Sequence, residues 1–184
     1  LGLAFAVLAS SMCSSFASID LAISCPSGSS HRGGIAHSNL AGAGPDTTAP
    51  EEVRYPSITT YGGQSVDLVI RATSSYDVKD KTAQGVFNGC YGEFGVLYVR
   101  SGTQVSTTFS FEDSGGAPVT LPGFIFSVFD IDGIDDARRE RLQVSSYSSY
   151  TLRDGETNVL VEGDGSFWGC RDGSDVLCDC QYPT

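Results

Sequence analysis

The chain has 184 residues with 22 acidic and 11 basic side chains, so its formal net charge at pH 7 is -11. A surface this acidic repels phosphate backbones and anionic lipid, which disfavours nonspecific binding to nucleic acid or a membrane surface and leaves calcium and cationic partners open. With 40% hydrophobic residues, a chain of this length has enough apolar material for a folded core, which argues against disorder.

The N-terminal segment has the features of a secretory signal peptide. Residues 1–17 carry no charge, residues 1–9 form an apolar run, and Ser15 and Ala17 supply small side chains for a cleavage site. The pattern predicts export. A membrane anchor over residues 1–19 and a buried helix are the alternatives, although a transmembrane helix needs about 20 predominantly apolar residues, and the second half of this run is rich in serine.

Residues 18–56 have the composition of a flexible linker. Ser, Gly, Ala, Pro and Thr dominate this stretch, so it is predicted to pack little. His31 and His37 both fall within it, and a Ser-His-Asp or Cys-His catalytic arrangement would then draw its base from a flexible segment. The hydrolase, metalloprotease and nucleotide-binding motifs are also absent from the sequence.

After residue 56 the sequence changes to short runs of β-branched and aromatic residues that Gly, Pro, Asp or Ser separate. We predict strands at residues 66–73, 94–99, 105–111, 124–132, 142–147 and 159–162. Apolar residues show no period of 3.6 after Asp20, so helices should be few and short, with one turn around residues 135–141. The pattern predicts an all-β domain over residues 57–184, an antiparallel β-sandwich or jelly roll.

Two of these runs carry more specific predictions. Val105, Thr107, Phe109 and Phe111 alternate with polar residues, as in a strand with one buried face. Residues 124–129 are apolar on both faces, as in a central strand covered on both sides. No clear closing strand precedes Thr184, and an open sheet edge is an aggregation hazard, so we expect the domain to continue beyond this residue.

Six cysteines predict disulfides if the protein is exported; they are Cys13, Cys25, Cys90, Cys170, Cys178 and Cys180. Cleavage after Ala17 would leave five, and one thiol would stay free or pair outside this chain. Zinc is disfavoured because the C-terminal cysteines lack a second close pair and the histidines are distant. Sequence does not determine the pairing. We select Cys90–Cys170, because both follow an aromatic residue and a glycine, and this bridge would contribute on the order of 4 kcal/mol.

An acidic loop begins at the end of the fourth predicted strand. Its carboxylates surround Gly133 at a density that suits calcium, which binds six to eight oxygens; they are Asp130, Asp132, Asp135 and Asp136. The loop is not an EF-hand, because Arg141 occupies the twelfth position, where a glutamate belongs. The alternative is a polar turn whose carboxylates are neutralised by neighbouring arginines, Arg138, Arg139 and Arg141.

A second acidic segment places Phe167 and Trp168 close to Asp164 in a glycine-rich loop. An aromatic ring beside a carboxylate can stack on a sugar and accept its hydrogen bonds, so these three residues are candidate glycan ligands. Alternatively, Trp168 packs over a disulfide at Cys170, which burial of a large aromatic side chain favours.

Paired carboxylates also raise glycoside hydrolysis, with Glu93, Glu112, Asp113 and Asp130 as candidates. A chain with 22 acidic residues contains such pairs by chance. We therefore predict no enzymatic activity.

Four segments in order carry a resemblance: NGCYGEFG (residues 88–95), VTLPGFIFSVFDID (119–132), RERLQV (139–144) and VEGDGSF (161–167). Together they resemble a β-rich domain of predicted secreted proteins in unicellular marine algae, dinoflagellates among them, over about residues 57–182. The resemblance implies a secreted β-rich fold with further strands after Thr184. It implies no catalytic residues.

These observations predict an exported, non-catalytic β-sandwich that serves as an extracellular binding or coat module, possible ligands being calcium and glycan and possible partners matrix or coat proteins. The alternative is an accessory subunit of a membrane-bound assembly, in an organelle lumen or at a membrane, if the N-terminal segment is retained. A glycoside hydrolase is the third hypothesis.

Overall fold

The structure, a computed structural model, describes residues 2–6, 25, 34–78, 88–91, 94–129, 131, 133–135, 138–152 and 159–169. In these residues, regular structure consists of strands and one 3₁₀ helix, Leu40–Gly42. Every named strand pair is antiparallel. The predicted all-β fold with antiparallel sheets is confirmed, while its finer assignment to a sandwich or jelly roll stays a prediction.

Across the described residues, thirteen strands form four sheets. Their bounds are β1 Gly2–Ala6, β2 His37–Ser38, β3 Val53–Tyr61, β4 Gln64–Ala72, β5 Gly89–Tyr91, β6 Phe94–Tyr98, β7 Thr107–Asp113, β8 Ser127–Phe129, β9 Gly133–Asp135, β10 Arg138–Arg139, β11 Arg141–Leu142, β12 Val159–Val161 and β13 Phe167–Gly169.

The chain divides into two compact units, Leu1–Phe129 and Asp130–Thr184, whereas the sequence predicted one domain over residues 57–184. Unit 1 contains two four-stranded sheets with strand orders β5-β6-β1-β8 and β2-β3-β4-β7. Unit 2 contains a two-stranded sheet, β10-β9, and a three-stranded sheet, β11-β13-β12. Strand β1 belongs to the predicted signal segment, and cleavage of that segment stays a prediction.

The sheet β2-β3-β4-β7 is built around a hairpin of two nine-residue strands. Gly62 and Gly63, with φ of 59° and 80°, connect β3 to β4 in a two-residue turn; such turns require positive φ, which glycine adopts without strain. Side chains alternate between the faces of β4. Leu68 and Ile70 therefore enter the core, while Asp67 and Arg71 lie on the opposite face.

The linker prediction differs from the structure at residues 34–56. Leu40 and Val53 are fully buried, and β2 pairs with β3. The polar residues of this segment build its turns: Asp46 Oδ2 accepts the backbone N–H of Ser38 at 2.7 Å, and Asn39 Oδ1 accepts that of Gly44 at 3.0 Å. A segment rich in Ser, Gly and Pro can therefore form a packed loop, because polar side chains hydrogen-bond the backbone groups that strand pairing does not satisfy.

The core of unit 1 receives residues from both of its sheets. Buried members of this cluster include Leu40, Tyr55, Leu68 and Ile70, together with Leu97 of β6. All but Leu40 lie on strands, at positions whose side chains face inward. The cluster is therefore continuous between elements that are distant in the chain.

A disulfide joins Cys25 to Cys90 within this core. The predicted partner of Cys90, Cys170, is therefore wrong: Cys90 bonds to Cys25 instead, and Cys170 itself lies outside the described residues. The aromatic and glycine residues before Cys90 and Cys170 reflect only the local sequence. A disulfide requires the two cysteines to be close in space, and the Cα atoms of Cys25 and Cys90 are 5.6 Å apart.

The strand predicted at residues 124–132 is present only as β8, Ser127–Phe129, which lies at the edge of its sheet, while residues 124–126 precede it outside any strand. Phe124 packs edge-on against Phe111 with ring centroids 4.8 Å apart, and Phe126 against Phe109 at 5.0 Å. Phe124 is 50% exposed, so the predicted coverage on both faces is wrong there. The alternating apolar face of β7 is only partly covered: Phe111 is half-buried, Phe109 keeps 40% of its surface exposed, and the buried residue of this strand is Glu112 on the opposite face.

Unit 2 is built from strands of two or three residues. Strands β12 and β13 form a hairpin, and β11 pairs with the other edge of β13. The helical turn predicted around residues 135–141 is wrong for its described residues, which lie mainly in β9, β10 and β11. Antiparallel pairing with neighbouring segments satisfies their backbone in place of helical hydrogen bonds.

Within the described ranges, no helix has the length and apolar character needed to cross a membrane.

Candidate functional site

The predicted glycan residues do not form one platform. Phe167 and Trp168 are consecutive on β13, so their side chains lie on opposite faces of the small sheet. Phe167 is 8% exposed and is thus a buried residue, whereas Asp164 lies in the exposed turn before β13. Only Trp168 and Asp164 share a set of contacts.

Trp168 and Asp164 belong to a ring of polar contacts that includes Arg141 and Ser166. The guanidinium of Arg141 lies over the indole at 5.0 Å from its centroid and donates to Asp164 Oδ2 at 2.6 Å. The indole N–H donates to Ser166 Oγ at 2.8 Å, and the Ser166 hydroxyl donates to Asp164 Oδ1 at 2.6 Å. Arg141 therefore covers one face of the indole.

Asp164 is held ionised by the same contacts. Hydrogen bonds from the Ser166 side chain and backbone, and then the charge of Arg141, lower the pKa of its carboxyl. At neutral pH Asp164 thus acts as an acceptor that orients Ser166 and Arg141. The packing of Trp168 against a disulfide at Cys170 falls outside the described residues.

On the other face of β13, two tyrosines contact Phe167. The Tyr150 ring lies 5.3 Å from the Phe167 ring in a T-shaped arrangement, and the Tyr147 ring lies at 6.2 Å. The two tyrosine rings are 6.0 Å apart. Tyr147 is 41% exposed and Tyr150 is 51% exposed. We call this pair the tyrosine platform: two exposed rings supported by one buried ring.

Sequence reasoning missed the tyrosine platform. Residues 145–150 read SSYSSY, and this short repeat of a tyrosine after two serines was the available signal. The β-branched and aromatic residues around it predict a strand over residues 142–147 instead. In the structure β11 ends at Leu142, and residues 143–150 are exposed.

The predicted calcium loop is largely outside the described residues. Asp130, Asp132 and Asp136 fall there, and the backbone of Asp135 pairs with that of Arg138 between β9 and β10. The part of the chain that is described contains no group of three or more His, Cys, Asp or Glu side chains that could hold a metal. Calcium at this loop stays a prediction.

Of the candidate glycosidase carboxylates, Glu112 and Asp113 are described, whereas Glu93 and Asp130 are not. Asp113 Oδ1 accepts the backbone N–H groups of Gly115 and Ala117 at 2.9 and 2.8 Å, which stabilises the turn after β7. The adjacent Glu112 side chain points to the other face of β7, so these two carboxylates do not face a common site.

Glu112 is part of a five-residue ionic cluster on the outer face of the sheet β2-β3-β4-β7. Its carboxylate accepts from Arg54 Nη2 at 2.6 Å and from Arg71 Nη1 at 2.5 Å. Three buried carboxylates and two arginines make up this ionic cluster: Glu52, Asp67, Glu112, Arg54 and Arg71.

The contacts of the ionic cluster favour the charged forms of Glu112, Arg54 and Arg71. Hydrogen bonds from Arg71 and then Arg54 lower the pKa of Glu112, although burial acts in the opposite direction. The pKa values of both arginines are raised. Glu112 is thus ionised at neutral pH and does not hold the proton that a general acid needs.

A depression of about 450 Å³ lies in the loop around residues 39–51. Its lining includes Asp46 and Glu51, and Asp46 already accepts the backbone N–H of Ser38. His37, at the edge of this loop, donates from Nε2 to Pro50 O at 2.7 Å. These contacts stabilise the loop.

Comparisons with protein-family models, curated proteins and solved structures find no match to this chain. The resemblance to the algal β-rich domain stays a prediction.

Proposed function

We propose that this protein is an exported, non-catalytic β-rich module that binds a neutral glycan through the tyrosine platform. The observation that carries the proposal is the pair Tyr147 and Tyr150, each more than two fifths exposed and supported by the buried Phe167. The proposed glycan site therefore consists of the two tyrosines on the Phe167 side of β13, in place of the Trp168 and Phe167 pair that the sequence predicted.

Two exposed tyrosine rings suit a sugar for two reasons. Their apolar faces can cover the C–H face of a pyranose ring, and their hydroxyls can exchange hydrogen bonds with sugar hydroxyls. Contact with Phe167 and with each other limits the orientations of the rings before binding, which lowers the entropy lost when a ligand binds.

The charge of the protein favours a neutral glycan over a sulfated or uronic acid polymer. The net charge is -11, and such a field repels polyanions. Arg141 in the same unit is already engaged by Asp164 at 2.6 Å. A neutral polysaccharide loses nothing to this repulsion.

The test is affinity electrophoresis of the full chain in gels that contain a soluble neutral glucan, mannan or galactan. At least one of these polymers should retard the protein. The double variant Tyr147→Ala/Tyr150→Ala should weaken binding at least about fivefold, if each ring contributes about 0.5–1.5 kcal/mol, the range measured for aromatic pairs. Tyr61→Ala is the matched control, since Tyr61 is 40% exposed but lies in unit 1.

Three results would overturn the proposal: no retardation by any neutral polymer, unchanged binding by the double variant, or an equal loss in Tyr61→Ala. Far-UV circular dichroism of each variant separates lost binding from lost folding.

Repeating the assay with calcium and with EDTA, in the wild type and in Asp130→Asn/Asp132→Asn, tests the predicted calcium loop. If calcium changes the mobility of the wild type but not that of the Asp130→Asn/Asp132→Asn variant, the result would support a metal site in this loop.

Export and a role in an extracellular coat are the cellular part of the proposal, and the signal-like residues 1–17 support them. Mass spectrometry of the mature protein tests export directly: an N-terminus at Ser18 is expected. Retention of residues 1–17 would instead favour the membrane-associated alternative.

A further inference from the structure

A single Asn-Gly dipeptide occurs in the chain, at Asn88 and Gly89, and it lies in the core of unit 1. Asn88 is 1% exposed, and Gly89, the first residue of β5, has a φ of 136°. Only glycine adopts this backbone conformation without strain. The fold therefore requires glycine at a position where it makes the preceding asparagine chemically vulnerable.

The vulnerability follows from ordinary amide chemistry. The backbone nitrogen of Gly89 can attack Cγ of Asn88, because glycine has no side chain to hinder the approach. A C–N bond forms to close a five-membered succinimide, and the side-chain nitrogen leaves as ammonia. Water then opens the ring to aspartate or to isoaspartate, whose backbone contains one additional carbon. The reaction needs only water.

The folded chain restrains the side chain that must react. Asn88 Oδ1 accepts the backbone N–H of Tyr98 at 2.9 Å. The Tyr76 hydroxyl lies 2.8 Å from Asn88 Oδ1 and 2.5 Å from the carbonyl oxygen of Tyr98, so its one hydrogen is shared between these two acceptors. Burial raises the pKa of Tyr76 to about 12, so this hydroxyl remains a donor at neutral pH. Among the described residues, Asn88 Nδ2 is in contrast buried with no hydrogen-bond partner. The hydrogen bonds that these residues make to the amide therefore act through its oxygen.

The backbone on both sides of the reacting bond is also held. The carbonyl of Asn88 accepts the Ser38 hydroxyl at 2.8 Å, and the carbonyl of Gly89 accepts the Tyr55 hydroxyl at 2.6 Å. Both contacts are buried. Attack on Cγ needs Gly89 N to approach the Asn88 side chain, and contacts that hold the backbone on both sides of this bond oppose that motion.

The next residue, Cys90, forms the disulfide to Cys25 across 65 residues of sequence. Cys25 and Cys90 are 6% and 1% exposed. A cross-link over a loop of this length restricts the unfolded and partly open states of the chain. Because Cys90 is separated from the reacting bond by one glycine, its cross-link opposes opening of β5 in particular.

We propose that Asn88–Gly89 is a latent deamidation site that the fold and the Cys25–Cys90 disulfide protect together, and that reduction of the disulfide by a thiol or phosphine commits the chain to modification. An isoaspartate would lengthen the backbone at the start of β5 and prevent the pairing of Gly89 with Val96. An aspartate would place a carboxylate in the same buried site. Either product records loss of the disulfide irreversibly.

The test incubates the full oxidised chain near pH 8 with and without a phosphine reductant, and follows the peptide that contains Asn88 by mass spectrometry. A synthetic peptide of residues 85–92 with serine in place of Cys90 gives the unrestrained rate. Asn39 is the internal control, because it precedes Leu40 and is also buried. The variant Cys25→Ser/Cys90→Ser, without reductant, excludes an effect of the reductant itself.

We expect the oxidised chain to deamidate at Asn88 at least about tenfold more slowly than the peptide, and the reduced chain and the double variant to lose most of that protection. Asn39 should react slowly under every condition. With the disulfide intact, Tyr76→Phe should raise the Asn88 rate by a few-fold, because it removes one contact to Oδ1.

The proposal is overturned if the oxidised chain reacts at the rate of the peptide, or if reduced and oxidised chains react equally slowly. If Asn88 deamidates at the same rate in Tyr76→Phe as in the wild type, the contact between Tyr76 and Asn88 Oδ1 does not contribute to the protection. Circular dichroism of the double variant shows whether the loss of protection reflects global unfolding or local opening.

Discussion

The main sheet of unit 1 and the small sheet of unit 2 bury their side chains very differently. Strands β3, β4 and β7 have nine, nine and seven residues, whereas β11, β12 and β13 have two, three and three. The largest fully buried side chains, Tyr55, Leu68 and Ile70 among them, belong to unit 1. Long paired strands create a core, while the short strands of unit 2 present aromatic rings near the surface.

The charged groups of the two units follow the same contrast. The ionic cluster of unit 1 contains Glu52, Asp67 and Glu112, each no more than 7% exposed. The Arg141–Asp164 pair of unit 2 is exposed on both sides. A buried charge that loses its partner is strongly destabilising, whereas an exposed pair contributes little. Buried charges therefore make unit 1 the more sensitive of the two units to the loss of a charged partner.

Loss of the disulfide in the core of unit 1 should lower the free energy of unfolding more than any other change considered. The variant Cys25→Ser/Cys90→Ser is expected to lower the free energy of unfolding by about 4 kcal/mol, since the bridge closes a long loop in the unfolded chain. Urea unfolding followed by far-UV circular dichroism measures the change. Reduction of the wild type should reproduce it, and a loss below about 1 kcal/mol would contradict a stabilising role for the bridge.

Glu112→Gln should have the next largest effect. It removes the charge that both Arg54 and Arg71 contact, and we expect the free energy of unfolding to fall by about 1–3 kcal/mol. The expected loss of stability is smaller than for a fully buried ion pair, because the Arg71 side chain is 41% exposed and water screens its charge. Glu51→Gln is the control: Glu51 is exposed, and a change within about 0.5 kcal/mol is expected.

The same residue predicts a dependence of stability on pH. The folded pKa of Glu112 is lowered from its ordinary value of 4.5, so its stabilising effect is present above that value and is lost as pH falls through the folded pKa. The difference in unfolding free energy between wild type and Glu112→Gln should therefore be constant near neutral pH and shrink below about pH 4.5. A constant difference down to about pH 3 would contradict the prediction.

Arg141→Gln should have the smallest effect on stability. Trp168 is the single tryptophan of the chain, so its fluorescence reports on unit 2. Without the guanidinium over the indole, we expect the emission of Trp168 to shift to longer wavelength as water replaces it. Arg100→Gln is the matched control, because Arg100 forms an exposed ion pair with Asp77 in unit 1. Equal spectra for all three proteins would contradict the contact.

Local pattern predicted much of the fold where strands are long or alternate clearly. The runs at residues 66–73, 94–99, 105–111 and 159–162 correspond to β4, β6, β7 and β12 within a few residues. Strand β3 was missed because Pro56 interrupts it, and the sheet accommodates this proline with a shift of register between Tyr55 and Thr59. Short strands such as β13 carry too few residues for a period to be visible.

The candidate site was predicted only in part. The sequence pointed to the loop that contains Asp164 and Trp168, and the structure joins these two through Ser166. It did not predict that Arg141 would cover the indole or that Tyr147 and Tyr150 would lie against Phe167. These contacts join residues about 17 to 27 positions apart, and no local pattern specifies such distances.

By itself, the sequence determined the class of the protein: its acidic charge, its β-rich character and the antiparallel strands, because these depend on composition and on alternation between neighbours. Tertiary structure decided which cysteine pairs with Cys90, which segment of the apparent linker enters the core, and which aromatic rings remain exposed. Each of these outcomes depends on proximity between residues far apart in the chain. Packing selects among many locally equivalent arrangements, and that selection is absent from any short stretch of sequence.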